Sequence, residues 1–149
     1  MSNDYQSHIE IQKQYRENQS KFIYYLIALS VASIGFSINI TIGQKLNYSH
    51  FLLGLAILNW VLSVFCGFQF LKISINVLAL NNEYFNIVRG LIDEIKPNDF
   101  EKERAKKIVI EETDNKNKRA VNNFNWQQYF FFIGIVMFLF WHIVQMIKR

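Results

Sequence analysis

One proline and one cysteine occur in 149 residues. The lone thiol, Cys66, excludes a disulfide framework within the chain. Also missing are a Gly-rich phosphate loop, a Cys/His spacing suited to a metal and a Ser-centred elbow. His8, His50 and His142 stand far apart. With no nucleophile, base and orienting group in view, the chain is not expected to be an enzyme, and nothing requires a cofactor. The acidic pairs Asp93-Glu94 and Glu111-Glu112 sit among lysines and read as solvated helix faces. The opening MSNDYQSHIEIQKQYRENQSKF has no basic segment leading to a small-residue cleavage site. A signal peptide is therefore not expected, and the first apolar block should be kept as an anchor.

The most informative absence is of charge. Three runs contain no Asp, Glu, Lys or Arg: Phe22–Ile42 and Phe51–Leu71, of 21 residues each, and Tyr129–Ile147, of 19. At 1.5 Å per residue, 21 residues of helix cover about 31 Å, the thickness of a bilayer core. A buried helix of a soluble protein can be as apolar, but this chain has no soluble shell large enough to bury three. The expected fold is all-α: an integral membrane helical bundle of three transmembrane helices, with a cytoplasmic helical extension between the second and third. The runs hold no carboxylate, which argues against an ion- or proton-coupled transporter.

Four stretches follow from this pattern. Residues 1–21 are expected to form an N-terminal cytoplasmic amphipathic helix. Residues 22–80 hold a transmembrane hairpin around the short polar link Gly43–His50. Residues 81–125 form a cytoplasmic helical segment broken at Pro97, and residues 126–149 the third transmembrane helix. Residues 81–125 carry nine Lys and Arg, the N-terminal tail adds Lys13, Arg16 and Lys21, and the short link has only Lys45. Positive charge collects on the cytoplasmic side, so the N-terminus is expected in the cytoplasm of a bacterial inner membrane. Lys148 and Arg149 then fall outside, against that bias. The net charge of +4 points only weakly to nucleic acid, because the surplus lies at membrane borders, at Lys45, Lys72, Lys148 and Arg149.

Within 81–125, Tyr84, Val88, Leu91 and Ile95 recur at helical spacing, so the second helix is expected to continue to about Ile95. Asn98 with Glu101 three positions later reads as the start of the next helix. Glu103 with Lys107, Glu112 with Lys116 and Asp114 with Lys118 are acid–base pairs four apart in the favoured order.

The first run carries two stripes. Ala28, Ala32, Gly35 and Asn39 recur at four, three and four, a close-packing face. Ser30, Ser33, Ser37 and Thr41 recur at three, four and four on another side. One reading has both stripes packing inside a single three-helix subunit. The other has one of them meeting a neighbouring subunit or lining a polar path. In the second run Asn59, Ser63 and Cys66 share a face, and Asn59 lies near mid-membrane, where an amide needs a partner. Ser30, Ser33, Ser37, Thr41, Asn59 and Ser63 are thus the candidate pore or subunit-interface residues. His142 and Gln145 lie one turn apart beside Trp141, where interfacial anchoring is the plainer reading. Lys116, Lys118 and Arg119 lie on the segment that leads into the third run. They read first as a solvated helix face. The alternatives are contact with membrane lipid headgroups, with an anionic ligand such as a nucleotide or oligonucleotide, or with a soluble partner protein.

Taken together, YRENQSKFIYYLIALSVASIGFSI, LGLAILNWVLSVFCGFQFL and NFNWQQYFFFIGIVMFLFWHIV resemble small bacterial three-helix membrane proteins. Among these the chain is similar to membrane effectors of phage-defence systems of the Hailong type. That resemblance lies in helix order and apolar texture and carries no residue's role. It implies a homo-oligomeric channel that depolarises the infected cell, regulated through its cytoplasmic helices by a nucleic-acid signal. The alternative expectation is a non-conducting membrane scaffold that anchors a soluble partner.

Overall fold

The computed structural model describes residues 2–44, 48–89 and 99–147. Every element in them is α-helical: α1 (Ser2–Thr41), α2 (His50–Arg89) and α3 (Asp99–Ile147). Each is long and apolar enough to cross a membrane, α1 over Lys13–Thr41, α2 over its whole length and α3 over Phe100–Ile147. At 1.5 Å per residue the 40 residues of α2 make about 60 Å, twice a bilayer core, so crossing occupies only part of it. α1 ends where Gly43 takes a positive φ of 81°, and the Gln44 amide turns back to the Thr41 carbonyl. Glycine suits that left-handed position because it has no Cβ to clash.

The chain divides into two compact units, Met1–Gly67 with Phe124–Arg149, and Phe68–Asn123. In the first unit, three helices share one inner seam. Leu53, Ala56, Trp60, Ser63 and Gly67 on α2 and Gln127, Phe131, Gly134, Phe138 and Trp141 on α3 are buried or half-buried, at alternating steps of three and four. That alternation lets i±3 ridges of one helix fit i±4 grooves of the next. Leu26, Ala56, Trp60 and Phe131 form the core, with Ile34, Ile57, Ile135 and Phe138 packed on it. Large apolar groups cover the outside as well: Leu29, Val31, Phe36, Phe65, Phe132, Val136 and Phe140 are all exposed. A soluble bundle would place polar groups there, whereas lipid tails accept such a surface without penalty.

Two glycines set how closely these helices approach. A Cβ added at Gly134 would lie 2.5 Å from Trp60 Nε1 and 2.7 Å from its Cδ1. A Cβ at Gly67 would lie 2.6 Å from Gln127 Nε2 and 2.8 Å from Ile27 Cγ1. Without a hydrophobic drive between helices in lipid, such backbone approach gives the dispersion contacts that hold them together.

The second unit pairs the end of α2 with the start of α3. Leu80, Ile87 and Val109 form its core, flanked by Tyr84 and Ala105. Tyr84 is on the inner side as its spacing suggested, but Val88 is not: it is 41% exposed, and Ile87 takes the buried place. Positions three and four away from Tyr84 lie on either side of one line, and packing on Val109 selects the nearer. Leu91, Ile95, Pro97 and Asn98 lie outside the described residues. Of the three expected ion pairs, Glu112 and Lys116 meet at 2.9 Å. Glu103 pairs instead with Lys106, one position short of Lys107, at 2.7 Å. Three and four residues are equally adjacent on a helix, so either lysine was within reach. The Lys106 hydrogen bond, with the charge behind it, holds the Glu103 carboxyl below the usual carboxylate range. Asp114 and Lys118 do not form an ion pair.

Because a rigid indole, and not a flexible chain end, fills the space over Gly134, Gly134→Ala is expected to lower stability by about 1–3 kcal/mol. Gly35→Ala, at a site with no neighbour within 4 Å, is expected to lose none. Thermal unfolding in mild detergent, followed by circular dichroism, compares the two.

Candidate polar site between the helices

The candidate site residues separate into an inner set and an outer set. Ser30, Ser37 and Ser63 are 0% exposed. Ser30 on α1 and Ser63 on α2 face each other, their Oγ atoms 3.4 Å apart. Ser63 also donates to the Gln127 main-chain carbonyl of α3 at 2.9 Å. The Gln127 side chain, also 0% exposed, reaches across to α1 and donates from Nε2 to the Ile23 carbonyl at 3.4 Å. One hydroxyl pair and one amide thereby connect all three helices. The placement follows from the solvent. A serine turned to lipid finds no cross-helix partner, while an alanine or glycine there loses nothing.

Ser33, Thr41 and Asn59 are half-buried. Thr41 bonds its own helix, at the carbonyls of Ser37 (3.0 Å) and Ile38 (2.9 Å). Asn59 does the same, with Nδ2 donating to the Leu55 carbonyl at 2.8 Å. The small-residue stripe turns the other way. Ala28, Ala32, Gly35 and Asn39 are all exposed, and a Cβ added at Gly35 would meet nothing within 4 Å. Close packing inside the chain uses Gly67, Gly134 and Ala56 instead.

At the other end of the bundle, Gln145 Nε2 donates to Ser49 Oγ at 3.2 Å. Trp141 lies beside His50 with ring centroids 6.3 Å apart. A groove of about 620 Å³ runs here between α1 and α3, lined by Phe36, Ile40, Trp141, His142 and Gln145 among others. In the second unit, Lys116 is engaged by Glu112, whereas Lys118 and Arg119 are exposed. Among the described residues no three His, Cys, Asp or Glu side chains are grouped so as to hold a metal ion. The inner site carries no ionisable group, so its chemistry is hydrogen bonding alone.

Sequence reasoning missed Gln127, Gly67 and Gly134. The signal was present as phase: Gln127, Phe131, Gly134, Phe138, Trp141 and Gln145 advance by four, three, four, three and four. Gln127 stands two residues before Tyr129, and starting the apolar run at Tyr129 conceals its alignment with the core. Compared with protein-family models, curated proteins and solved structures, the chain matches none.

Ser63 joins two bonds, so Ser63→Ala is expected to cost about 0.6–1.7 kcal/mol, the range of membrane interhelical hydrogen bonds. Adding Ser30→Ala should then cost little more, because its partner is already gone. A double-mutant cycle on unfolding in detergent measures this, and strictly additive costs would show that the two hydroxyls do not interact.

Proposed function

We propose that this chain is a subunit of an oligomeric membrane channel or pore, a regulated effector that depolarises the bacterial cell membrane in phage defence. The observation that carries this is the division of α1. Ser30 and Ser37 are buried inside the chain, while Ala28, Ala32, Gly35 and Asn39 stay exposed on the apolar outer surface. Small residues on a spanning helix let a second helix approach closely, and the Asn39 amide gains a partner when a copy covers it. A three-helix chain cannot enclose a water path, so conduction requires several copies around an axis. In the closed arrangement Ser33, Thr41 and Asn59 are half-buried. Ser30, Ser37 and Ser63 join a path when α1 moves away from α2. The Lys and Arg bias places the N-terminus and the 81–125 segment in the cytoplasm, where Lys118 and Arg119 are open to a nucleotide or oligonucleotide. The likeness to phage-defence membrane effectors supports the effector role.

A second reading, a non-conducting scaffold anchoring a soluble partner, is favoured by one observation. The Ser30–Ser63–Gln127 bonds close the bundle on themselves without a further copy. Its mark is a partner that co-purifies, is lost on deleting 98–120, and is accompanied by no conductance in liposomes.

Gly35→Leu tests the channel. The site is open within the chain, so folding should be unaffected. Purified protein is expected to shift from oligomer to monomer in mild detergent, with ion flux from liposomes falling tenfold or more, the effect of losing about 1.4 kcal/mol of association. An unmodified chain that is monomeric, or that never alters membrane potential when expressed, refutes the channel.

A further inference from the structure

The second unit contains a helix with two apolar seams, and only one is used inside the chain. On α2, Phe70, Val77, Leu80, Tyr84 and Ile87 lie on the inner side, buried or half-buried. A second series, Phe68, Leu71, Ile75, Leu78, Asn82 and Phe85, advances by three, four, three, four and three. That is a heptad a/d pattern, and it is turned outward. Phe68 is 59% exposed, Ile75 67%, Leu78 58% and Phe85 56%, with Asn82 also exposed and Leu71 half-buried. Phe85 stands beyond both Lys72 and Glu83, past the uncharged run Phe51–Leu71.

We propose that a second copy of this chain covers this face, with the two α2 helices parallel and in register and Asn82 meeting Asn82. Three observations select this occupant. First, Ile75 at an a position with Leu78 at d is the pairing that favours two parallel strands. Second, Asn82 falls at an a position in an otherwise apolar seam. An amide is both donor and acceptor, so its best partner at that depth is the same amide across a two-fold axis. An unrelated apolar partner, or lipid, would leave it unpaired. Third, two copies inserted in one membrane with the same topology are already parallel, with their seams at the same height.

The size of the seam sets the strength of the pair. Four large apolar side chains of roughly 150–200 Å² each, at about 60% exposure, would bury about 400 Å² per copy and 800 Å² per pair. That is below the area of a standing soluble dimer and suits a reversible contact. Confinement to one membrane raises the effective concentration enough to populate it. This inference depends on the proposed function only for the presence of a second copy, and conduction plays no part in it.

Cysteine scanning tests it. In a full chain carrying Cys66→Ser, single cysteines are placed at 75, 76, 78, 79, 82, 83 and 85, and native membranes are oxidised with copper phenanthroline. Dimer bands are expected to be strong at Ile75→Cys, Leu78→Cys, Asn82→Cys and Phe85→Cys. They are expected to be at least fivefold weaker at Asn76→Cys, Ala79→Cys and Glu83→Cys. Equal bands at all seven positions, a maximum at 76, 79 and 83, or no bands at all would overturn the proposal. Repeating Asn82→Cys with Gly35→Leu separates the two interfaces. A band that persists there while detergent size falls to monomer shows a seam independent of the α1 face. Loss of the seam bands without a change in oligomer size removes the seam and leaves the channel reading intact.

Discussion

Within a bilayer core, a hydroxyl or amide finds its partner in protein or has none, and this chain is arranged around that scarcity. Three helices meet where Ser30, Ser63 and Gln127 exchange hydrogen bonds, and the surrounding positions are small or apolar enough to let them meet. Gly67 is the clearest dependent feature: its missing Cβ leaves room for the Gln127 amide. The satisfaction is incomplete. Ser37 Oγ, Gln127 Oε1, Trp60 Nε1 and Trp141 Nε1 are buried without a hydrogen-bond partner in the protein. Each such group costs about 1–3 kcal/mol relative to a paired one, so the bundle holds polar groups that an alternative arrangement could use. A subunit designed only for packing would have apolar groups at those positions.

The two units differ in what they bury and expose. In the first, serines, glycines and a glutamine share the inner seam with the apolar core while Phe, Leu and Val cover the exterior. In the second, Leu80, Ile87 and Val109 are inside, and the exterior carries ion pairs such as Glu112–Lys116 beside exposed apolar groups such as Ile75 and Phe85. Exposed ion pairs of this kind contribute only a few tenths of a kcal/mol, so the small apolar core has most of the stabilising role there. That core is only a few residues wide, and a two-helix pair of this size gains stability from any further apolar burial it can find.

The helices were readable from sequence because a single property defines them. Exclusion of charge over 19 to 21 residues needs no knowledge of neighbours, so the second and third runs fall inside the observed helices and the first overruns α1 by one residue, Ile42. Facing direction is different, since it depends on what each helix meets. Ser30 and Ala28 stand two residues apart in α1, each on a stripe with sound membrane-packing chemistry, and nothing local says which turns inward. The answer lay on other helices, in Ser63 and Gln127, 33 and 97 residues from Ser30. Likewise the choice of Ile87 over Val88 rests on a partner element and not on the local spacing. Gln127 was hidden for another reason: a reading that begins the span at Tyr129, where the continuous apolar residues start, overlooks the polar residue in phase just before it.

On the proposed channel reading, the inward turn of the hydroxyls also constrains conduction. A path lined by Ser30, Ser37 and Ser63 cannot exist while those groups are fully buried against neighbouring helices of the same chain. Opening would have to separate α1 from α2, breaking the Ser30–Ser63 bond and uncovering Ser63. The loss is modest, since membrane interhelical bonds average about 0.6 kcal/mol, and water entering the path would repair it. The tight fit of Trp60 on Gly134 joins α2 to α3 and offers no comparable release. α1 is held to α2 by Ile27 over Gly67 as well as by the Ser30–Ser63 bond, and its outer face carries the exposed small residues. A neighbour gripping Ala28, Ala32 and Gly35 from outside would compete with Ser63 and Gln127 for the position of α1, so assembly and opening would be coupled through one helix.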